Sequence, residues 1–477
     1  MVWQTLQALL SIDRLFFQIV EVMERVLFVS IAGIPLIILW LVLGGIFFTV
    51  RFGFIGIRGF KHAIAIARGQ YDTGEGTGEV SAFEALATAL SGTVGLGNIA
   101  GVAIAIQMGG VGAVFWMSVA AFLGMSSKFI ECTLAQQYRQ INPDGTVSGG
   151  PMYYLSQGLP ELGFANLGKV MGIVFAIFCT GAAFGGGNMF QVNQSVAAVT
   201  ALFPSWRSYD WVFGIVAAIF VGLVIIGGIN RIGAVTGKLV PLMIGIYLTA
   251  CLWVIGVKIT EVPAAISTIV EQAFSNSAVE GGFIGMLVLG IRRSAFSNGA
   301  GMGTAAIAHS AAKTDEPIRE GIVAILEPFI DTILICNLTA LVIVLTGSYG
   351  ENITADISGS QLTALAFSQV IAWFPYVLAV VILLFGFSTT IAWSYYGEKS
   401  WTYLFGNKYV FVYKSLFLAC VFLGAIADLG VVVDFSDLML LAMAVPNILG
   451  CLLLSDRVAK DLGNYWLKLD LKPFLKS

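Results

Sequence analysis

The stretch SGTVGLGNIAG, residues 91–101, lies inside one of the most apolar parts of the chain and is composed against continuing a helix. It sets Gly92, Gly95, Gly97 and Gly101 beside Ser91, Thr93 and Asn98. Each glycine costs about 1 kcal/mol relative to alanine in a helix. In hydrocarbon an unpaired N–H or C=O is far more costly, so loose backbone survives there only when it is buried in protein or lines a polar cavity. A helix broken at mid-depth exposes two new ends: N–H donors with a positive dipole for an anion, and carbonyls for a cation. Small-xxx-small packing, which Gly97 and Gly101 fit, is the structural alternative for any one glycine alone.

The surroundings are those of an integral membrane protein. Hydrophobic residues make up 58% of the 477 residues and charged residues 11%, with a mean hydropathy of +0.89. A globular chain carries about a quarter charged residues. Apolar windows recur at 27–50, 80–108, 112–135, 168–200, 211–229, 236–257, 281–308, 320–346, 362–395, 410–430 and 433–454. Each can cross a hydrocarbon core of about 30 Å, which predicts an all-α protein of eleven transmembrane helices. The net charge of −3 argues against nucleic acid or acidic lipid as a main partner, and the composition makes the lipid bilayer the surroundings of the chain. The six cysteines fall inside apolar windows without CxxC spacing, as buried small residues do, so neither disulfides nor a zinc site is expected. The first 26 residues lack a short apolar core followed by a cleavage site, so no removable leader is expected.

Lysine and arginine collect on alternate connections: Arg51 to Arg68, Arg139 and Lys169, Arg231 and Lys238, Lys313 and Arg319, Lys399 to Lys414, and Arg457 to Lys476. The intervening connections hold only Arg207 and Lys258. The positive-inside rule then puts the N-terminus outside and the C-terminus in the cytoplasm.

A second interruption, FSNGAGMGTAA, occupies residues 296–306. At an offset of 206 residues, Ser91, Gly95, Gly97 and Ala100 fall on Ser297, Gly301, Gly303 and Ala306. The same offset lays spans three to six roughly on spans eight to eleven. The expected organisation is an N-terminal helix and loop (1–79), a five-helix repeat (80–258), a second copy (259–456) and a C-terminal tail (457–477). An odd number of helices per copy forces opposite orientations, hence a five-plus-five inverted repeat with two broken helices.

Other classes fit poorly. Gly95-x-Gly97-x-x-Ala100 satisfies a dinucleotide fingerprint, but no strand precedes it and no acidic residue lies about 20 positions on. An enzyme needs a nucleophile with a base or a metal cluster, and two histidines, His62 and His309, supply neither. A channel is expected to carry a pore-loop filter or several similar subunits. Composition and pattern thus reach a cation-coupled carrier of a small polar ligand.

VGLGN at 94–98 resembles the first broken helix of the neurotransmitter:sodium symporters. More of the chain resembles the alanine or glycine:cation symporter family, through ALSGTVGLGNIAGVAIAI at 89–106, GGPMYYL at 149–155, GGGNMFQ at 185–191 and FSNGAGMGTAAIAH at 296–309. That resemblance implies a prokaryotic plasma-membrane importer of small neutral amino acids such as alanine and glycine, coupled to Na⁺. Coupling to H⁺ and a preference for glutamine or a D-amino acid stay open, as does the oligomeric state. By motif, the backbone N–H groups of Leu96 and Gly97 face the substrate carboxylate with the Asn98 side chain nearby. Gly186 and Gln191 wall the pocket, Phe296 is an aromatic lid and Ser297 the hydroxyl after it. Carbonyls of Ser91, Val94 and Phe385 join the hydroxyls of Ser388 and Thr389 around sodium, the last three at an i, i+3, i+4 spacing on one helical face. A second sodium site from Thr93, Asn98 and Thr304 stays open, because both interruptions are richer in glycine than that fold family's. The small run Gly181, Ala182, Ala183, Gly185 and Gly186 fits either a roomy pocket or a close backbone approach that leaves space for a methyl group.

Charges within or at the edges of spans are Glu84, Glu131, Arg292, Arg293, Glu327, Asp331 and Asp428. Each costs about 3 kcal/mol at mid-depth unless paired or wet. Arg292 and Arg293, just before the second break, are candidates for gate salt bridges. Glu131 and Asp428 read as solvated near helix ends; for His309, just after the second break, a proton relay is the functional reading, but its place at the cytoplasmic end of its helix favours a solvated cap.

Overall fold

The computed structural model describes residues 27–71, 76–275, 282–350 and 359–475. Residues 1–26, over which the absence of a leader was inferred, and Lys476 lie outside the described residues. The chain is all-helical apart from two pairs of two-residue strands among the described residues, Ser30–Ile31 with Ile34–Pro35 and Gln140–Ile141 with Val147–Ser148. In order come α1 (Leu36–Arg51), α2 (Ala82–Thr93), α3 (Val102–Gly109), α4 (Ala113–Gln137), α5 (Pro151–Glu161), α6 (Ala165–Phe184), α7 (Phe190–Leu202), α8 (Asp210–Ile225) and α9 (Gly228–Val257). They are followed by α10 (Gly282–Asn298), α11 (Thr304–Ser310), α12 (Pro317–Ala324), α13 (Asn337–Leu345), α14 (Phe374–Phe405), α15 (Val410–Ile426) and α16 (Leu429–Leu475).

Eight helices among the described residues are long and apolar enough to cross a membrane, or nine when α2 and the segment Gly97–Gly109 are joined across their 47° bend. Two of the eleven apolar windows fall short of that length for visible reasons. α1 has 16 residues, and the window at 281–308 is divided by Gly299–Gly303 into α10 of 17 residues and α11 of 7.

Burial sorts the spans. The crossing stretches of α14 and α16 are 72% and 78% buried inside the protein, whereas those ending in α8 and α15 are 22% and 28% buried. α8 and α15 pack against each other at the rim, with Ile219, Phe220, Leu223 and Phe411 directed outward as lipid-facing side chains must be. Trp206, Tyr209 and Trp211 at the start of α8 are exposed, where amphipathic rings meet a headgroup layer. The cysteines are all free, and all but Cys420 are buried.

Two other spans, Ala165–Leu202 and Pro317–Leu345, carry departures from regular geometry. Gly185–Met189, between α6 and α7, and Phe329–Cys336, between α12 and α13, wind as wide turns with an extra residue, the second directly after Pro328. A ring nitrogen cannot donate to the preceding turn, so proline favours such local rewinding.

Candidate functional site

The first interruption forms because side chains capture the N–H groups that a continuing helix would use. Val94 still bonds Leu90 O, but Gly95 N donates to Asn98 Oδ1 at 2.9 Å and Leu96 N to Gln191 Oε1 at 3.3 Å. Ser91 and Gly92 thereby lose their helical donors. The Gly92 carbonyl accepts Trp393 Nε1 at 2.8 Å instead. None of the four glycines here adopts a positive φ. They serve close approach: a Cβ on Gly95 would lie 2.5 Å from Thr389 Oγ1, and one on Gly92 would lie 2.7 Å from the Tyr396 hydroxyl. Gly95→Ala is therefore expected to reduce transport to background, measured as initial uptake by the reconstituted protein, since an overpacked core contact costs about 1–3 kcal/mol and here displaces Thr389 as well.

The second interruption is built differently. Gly299, Gly301 and Gly303 have φ of +62°, +85° and +75°, the left-handed region that side chains with a Cβ avoid. Asn298 Oδ1 accepts from Ala300 N at 2.9 Å, and Asn447 Nδ2 of α16 donates to the Gly301 carbonyl at 2.8 Å.

The two interruptions meet. A Cβ on Gly97 would contact Ser297 Cα at 3.4 Å. Between them stands Asp331, fully buried on the wide turn after Pro328. Its Oδ1 accepts from Asn98 Nδ2 at 2.7 Å, and its Oδ2 accepts from Ser297 Oγ at 2.7 Å and Thr332 Oγ1 at 2.6 Å. The sequence marked Asp331 only as a charge within a span; a buried carboxylate one helical turn beyond Glu327 and after a proline was the available signal.

The remaining expected residues gather at the same place. Gln191 Nε2 donates to the Gly186 carbonyl at 2.9 Å, which ties the wide turn at 185–189 to the first break. Gly186 faces Ser436, Leu440 and Phe296, while Gly181 meets Met439 and Gly187 meets Trp393. The glycines of this segment are thus met closely by side chains of α16, α14 and α10. Phe296 stacks edge-on to Phe190 with centroids 5.1 Å apart, and the Arg293 guanidinium lies 5.3 Å from its ring centre. Ser91 Oγ donates to the Ser388 carbonyl at 2.6 Å, so α2 and α14 are joined beside the first break. Ser388 Oγ donates to Phe385 O at 3.1 Å. Thr389 Oγ1, facing Gly95, is buried without a hydrogen-bond partner. A buried hydroxyl in that state is an oxygen ligand to spare.

The charged residues divide. Arg292 Nε donates to Asp437 Oδ2 at 2.7 Å, and Arg293 Nη2 bonds the same oxygen, so both arginines pair across to α16. Glu84 caps α2 through Ser81 N at 2.9 Å. Asp428 is exposed and accepts from Gly430 N at 2.9 Å. Two expectations fail. Glu131 is buried and accepts from Asn447 Nδ2 at 2.7 Å, and His309 is fully buried between Glu320 and Glu327 rather than solvated. Both lie near helix ends in sequence, but α5, α12 and α16 fold over those ends.

Lys128 Nζ, 3.1 Å from Glu327 Oε2, lies beside Gly299, where a Cβ would meet it at 3.7 Å, Thr304 Oγ1 at 2.8 Å and Thr93 Cγ2 at 3.9 Å. A resident ammonium stands among two of the three residues left open for a second sodium ion, while the third, Asn98, is committed to Asp331. Ligand atoms of Cys132, His309 and Glu327 lie within 4.8 Å of one another, yet both His309 nitrogens already face carboxylates and Lys128 occupies the remaining side.

Two interrupted helices meeting at a buried polar centre inside an apolar helical bundle are the architecture of a membrane transport protein. The chain belongs to the Sodium:alanine symporter family, whose sequence profile matches residues 15–472. It is 42% identical over 428 residues to the sodium/alanine symporter AgcS of Methanococcus maripaludis, covering 90% of this chain and 93% of the relative. It is 37% identical to the amino-acid carrier protein AlsT of Bacillus subtilis over 92% of both chains. The "Probable sodium/glutamine symporter GlnT" of the same organism is 34% identical over 90% of this chain and 87% of its own. Sodium in such a protein is a co-transported ion rather than a resident cofactor.

Proposed function

We propose that this protein imports small neutral amino acids, alanine foremost and glycine with it, together with Na⁺ by alternating access. The observation that carries the reading is the partnerless Thr389 hydroxyl aimed at Gly95, where Ser91 has lost its helical donor. Carbonyls of Ser91, Val94 and Phe385 with the hydroxyls of Ser388 and Thr389 form the hard oxygen set for the ion. Leu96 and Gly97 N–H groups receive the substrate carboxylate, which replaces Gln191 Oε1 at its long 3.3 Å bond to Leu96 N. Asn98 and Ser297 hold Asp331 behind that carboxylate, while Gly186, Gln191 and Phe296 close the pocket at the size of a methyl group. The match to a sodium/alanine symporter supports this choice of solute.

The architecture in this reading is one helix plus two inverted five-helix units, 80–258 and 259–456, with eleven crossings, the N-terminus outside and the C-terminus in the cytoplasm. It is supported by the two interruptions at one offset and by the pairing of α8 with α15, the same member of each unit. Arg292 and Arg293 with Asp437 form the outer gate. One Na⁺ with a zwitterion carries one net charge, and about 2.3 kcal/mol per 100 mV gives about fifty-fold accumulation from voltage alone.

Radiolabelled alanine uptake into proteoliposomes, with the cation exchanged among Na⁺, Li⁺ and H⁺, tests the function: saturable uptake that follows an imposed Na⁺ gradient is expected, and indifference to every ion gradient would overturn it. Ser388→Ala and Thr389→Ala are each expected to weaken apparent sodium affinity about ten-fold, the loss of one ion-bound oxygen, and to weaken alanine affinity by linkage. Unchanged sodium dependence in both variants would remove the ion from α14.

A further inference from the structure

Lys128, Glu327, His309 and Glu320 form one buried run that the transport reading does not use. It joins α4, α11, α12 and the turn that follows α12, and reaches from Lys128 beside Gly299 to Glu320. Every one of these side chains is at most 1% exposed. Glu327 Oε2 accepts from Lys128 Nζ at 3.1 Å, His309 Nε2 lies 2.7 Å from Glu327 Oε1, and His309 Nδ1 lies 2.6 Å from Glu320 Oε1.

A neutral imidazole has one N–H and one lone pair. Both His309 nitrogens face carboxylate oxygens at hydrogen-bond distance, so each contact needs its own hydrogen. An imidazolium between two carboxylates supplies both. With Lys128 the run then holds two positive and two negative charges, and without that proton it keeps an uncompensated charge in a dry interior and sets a lone pair against a carboxylate.

We propose that Glu320, His309 and Glu327 are a proton-binding site, which holds one proton while α11 is docked and releases it on the Glu320 side when α11 moves. Glu320 Oε2 has no protein partner, and Glu320 lines a cavity of about 110 Å³ together with Lys313, Asp315 and Arg319, roomy enough for water. On release the proton passes from His309 Nδ1 to Glu320 and from Glu320 to water in that cavity. His309 is left neutral, with Nε2–H still donating to Glu327. α11 is the half-helix that follows Gly299, Gly301 and Gly303, and its end is held by Gln136 and Arg139, which donate to the His309, Ser310 and Ala312 carbonyls. The other ionisable groups on the elements packed around His309 are Glu131 and Cys132 on α4 with Arg139 just beyond it, Arg319 on α12, Asp331 beyond Glu327, Tyr153, Tyr154 and Glu161 on α5, Glu84 on α2, and Tyr376, Tyr395, Tyr396, Glu398, Lys399 and Tyr403 on α14. Glu131 Oε1 accepts from Asn447 Nδ2, its Oε2 has no hydrogen-bond partner, and Glu84 accepts from Ser81 N.

The proposal rests on alternating access only for its consequence, and two readouts keep the two apart. The chain has two histidines, so ¹⁵N-histidine spectra of the full protein in bilayers, assigned with His62→Gln, report His309 directly. Both ring nitrogens are expected to be protonated at about pH 8, above the ordinary histidine range, and to become one N–H and one lone pair in Glu320→Gln. The amide introduced by that substitution donates to Nδ1, so the variant keeps every hydrogen bond and needs no extra proton. A neutral His309 in the unaltered protein at that pH would overturn the site whether or not the protein moves alanine. In alanine exchange at equal Na⁺ and equal pH on both sides, the rate is expected to rise with pH by up to about ten-fold per unit, the limit for one released proton, and to be flat in Glu320→Gln. Retention of the original pH profile by Glu320→Gln would overturn the link to movement of α11.

Discussion

Alanine in place of Asp331 is expected to cut sodium-driven alanine uptake by about two to four powers of ten, the equivalent of the roughly 3–5 kcal/mol lost when one member of a buried charged network is removed. Among the described residues this carboxylate alone is hydrogen-bonded to both interrupted segments, through Asn98 on the first and Ser297 on the second. Without it, Ser297 Oγ and Thr332 Oγ1 lose their acceptor, and Asn98 Nδ2 keeps only the Asp331 carbonyl at 2.9 Å and a weak contact to Cys336. Asn98 also holds Gly95 N, so its reorientation disturbs the peptide groups that face Thr389. Asp331→Asn, which keeps the shape and one acceptor oxygen, is expected to fall between. Uptake by Asp331→Ala at the rate of the unaltered protein would show that the two breaks work without this bridge.

Lys128→Met is expected to cost about 3–5 kcal/mol of stability and to lower the melting temperature by about 5 °C or more, because it strands the Glu327 carboxylate in a fully buried place. Adding Glu327→Gln is expected to restore more than half of that loss. Both charges of the pair are then absent, and the side-chain carbonyl of the substituted amide still accepts from His309 Nε2–H while His309 and Glu320 balance each other. Equal melting temperatures for Lys128→Met and the unaltered protein would mean that the pair is not dry.

Both interruptions were legible in the sequence because glycine is costly inside a helix and scarce without reason at such density. What each glycine does was not legible. The second break uses Gly299, Gly301 and Gly303 for left-handed backbone, whereas the first uses Gly92 and Gly95 to admit Tyr396 and Thr389, side chains some three hundred positions away. Apolar windows give depth along the membrane normal but not rotation about each helix axis, so Asp331 could be placed within a span and not between two others. The wide turn after Pro328 sets that rotation, and no periodicity announces it. His309 and Glu131 were misplaced for a related reason. Nearness to a helix end means solvent only if nothing folds over it, and here Gln136, Arg139, Asn447 and the start of α12 do.

The most direct test of the central claim, that one unwound segment holds the amino acid and the ion together, is calorimetric binding of alanine to the purified protein across a Na⁺ series, with the converse titration of Na⁺ at fixed alanine. The expected result is reciprocal: each ligand tightens the other by the same factor, about five- to 150-fold, and Thr389→Ala removes most of it. Alanine binding with one affinity at every Na⁺ concentration would contradict the claim.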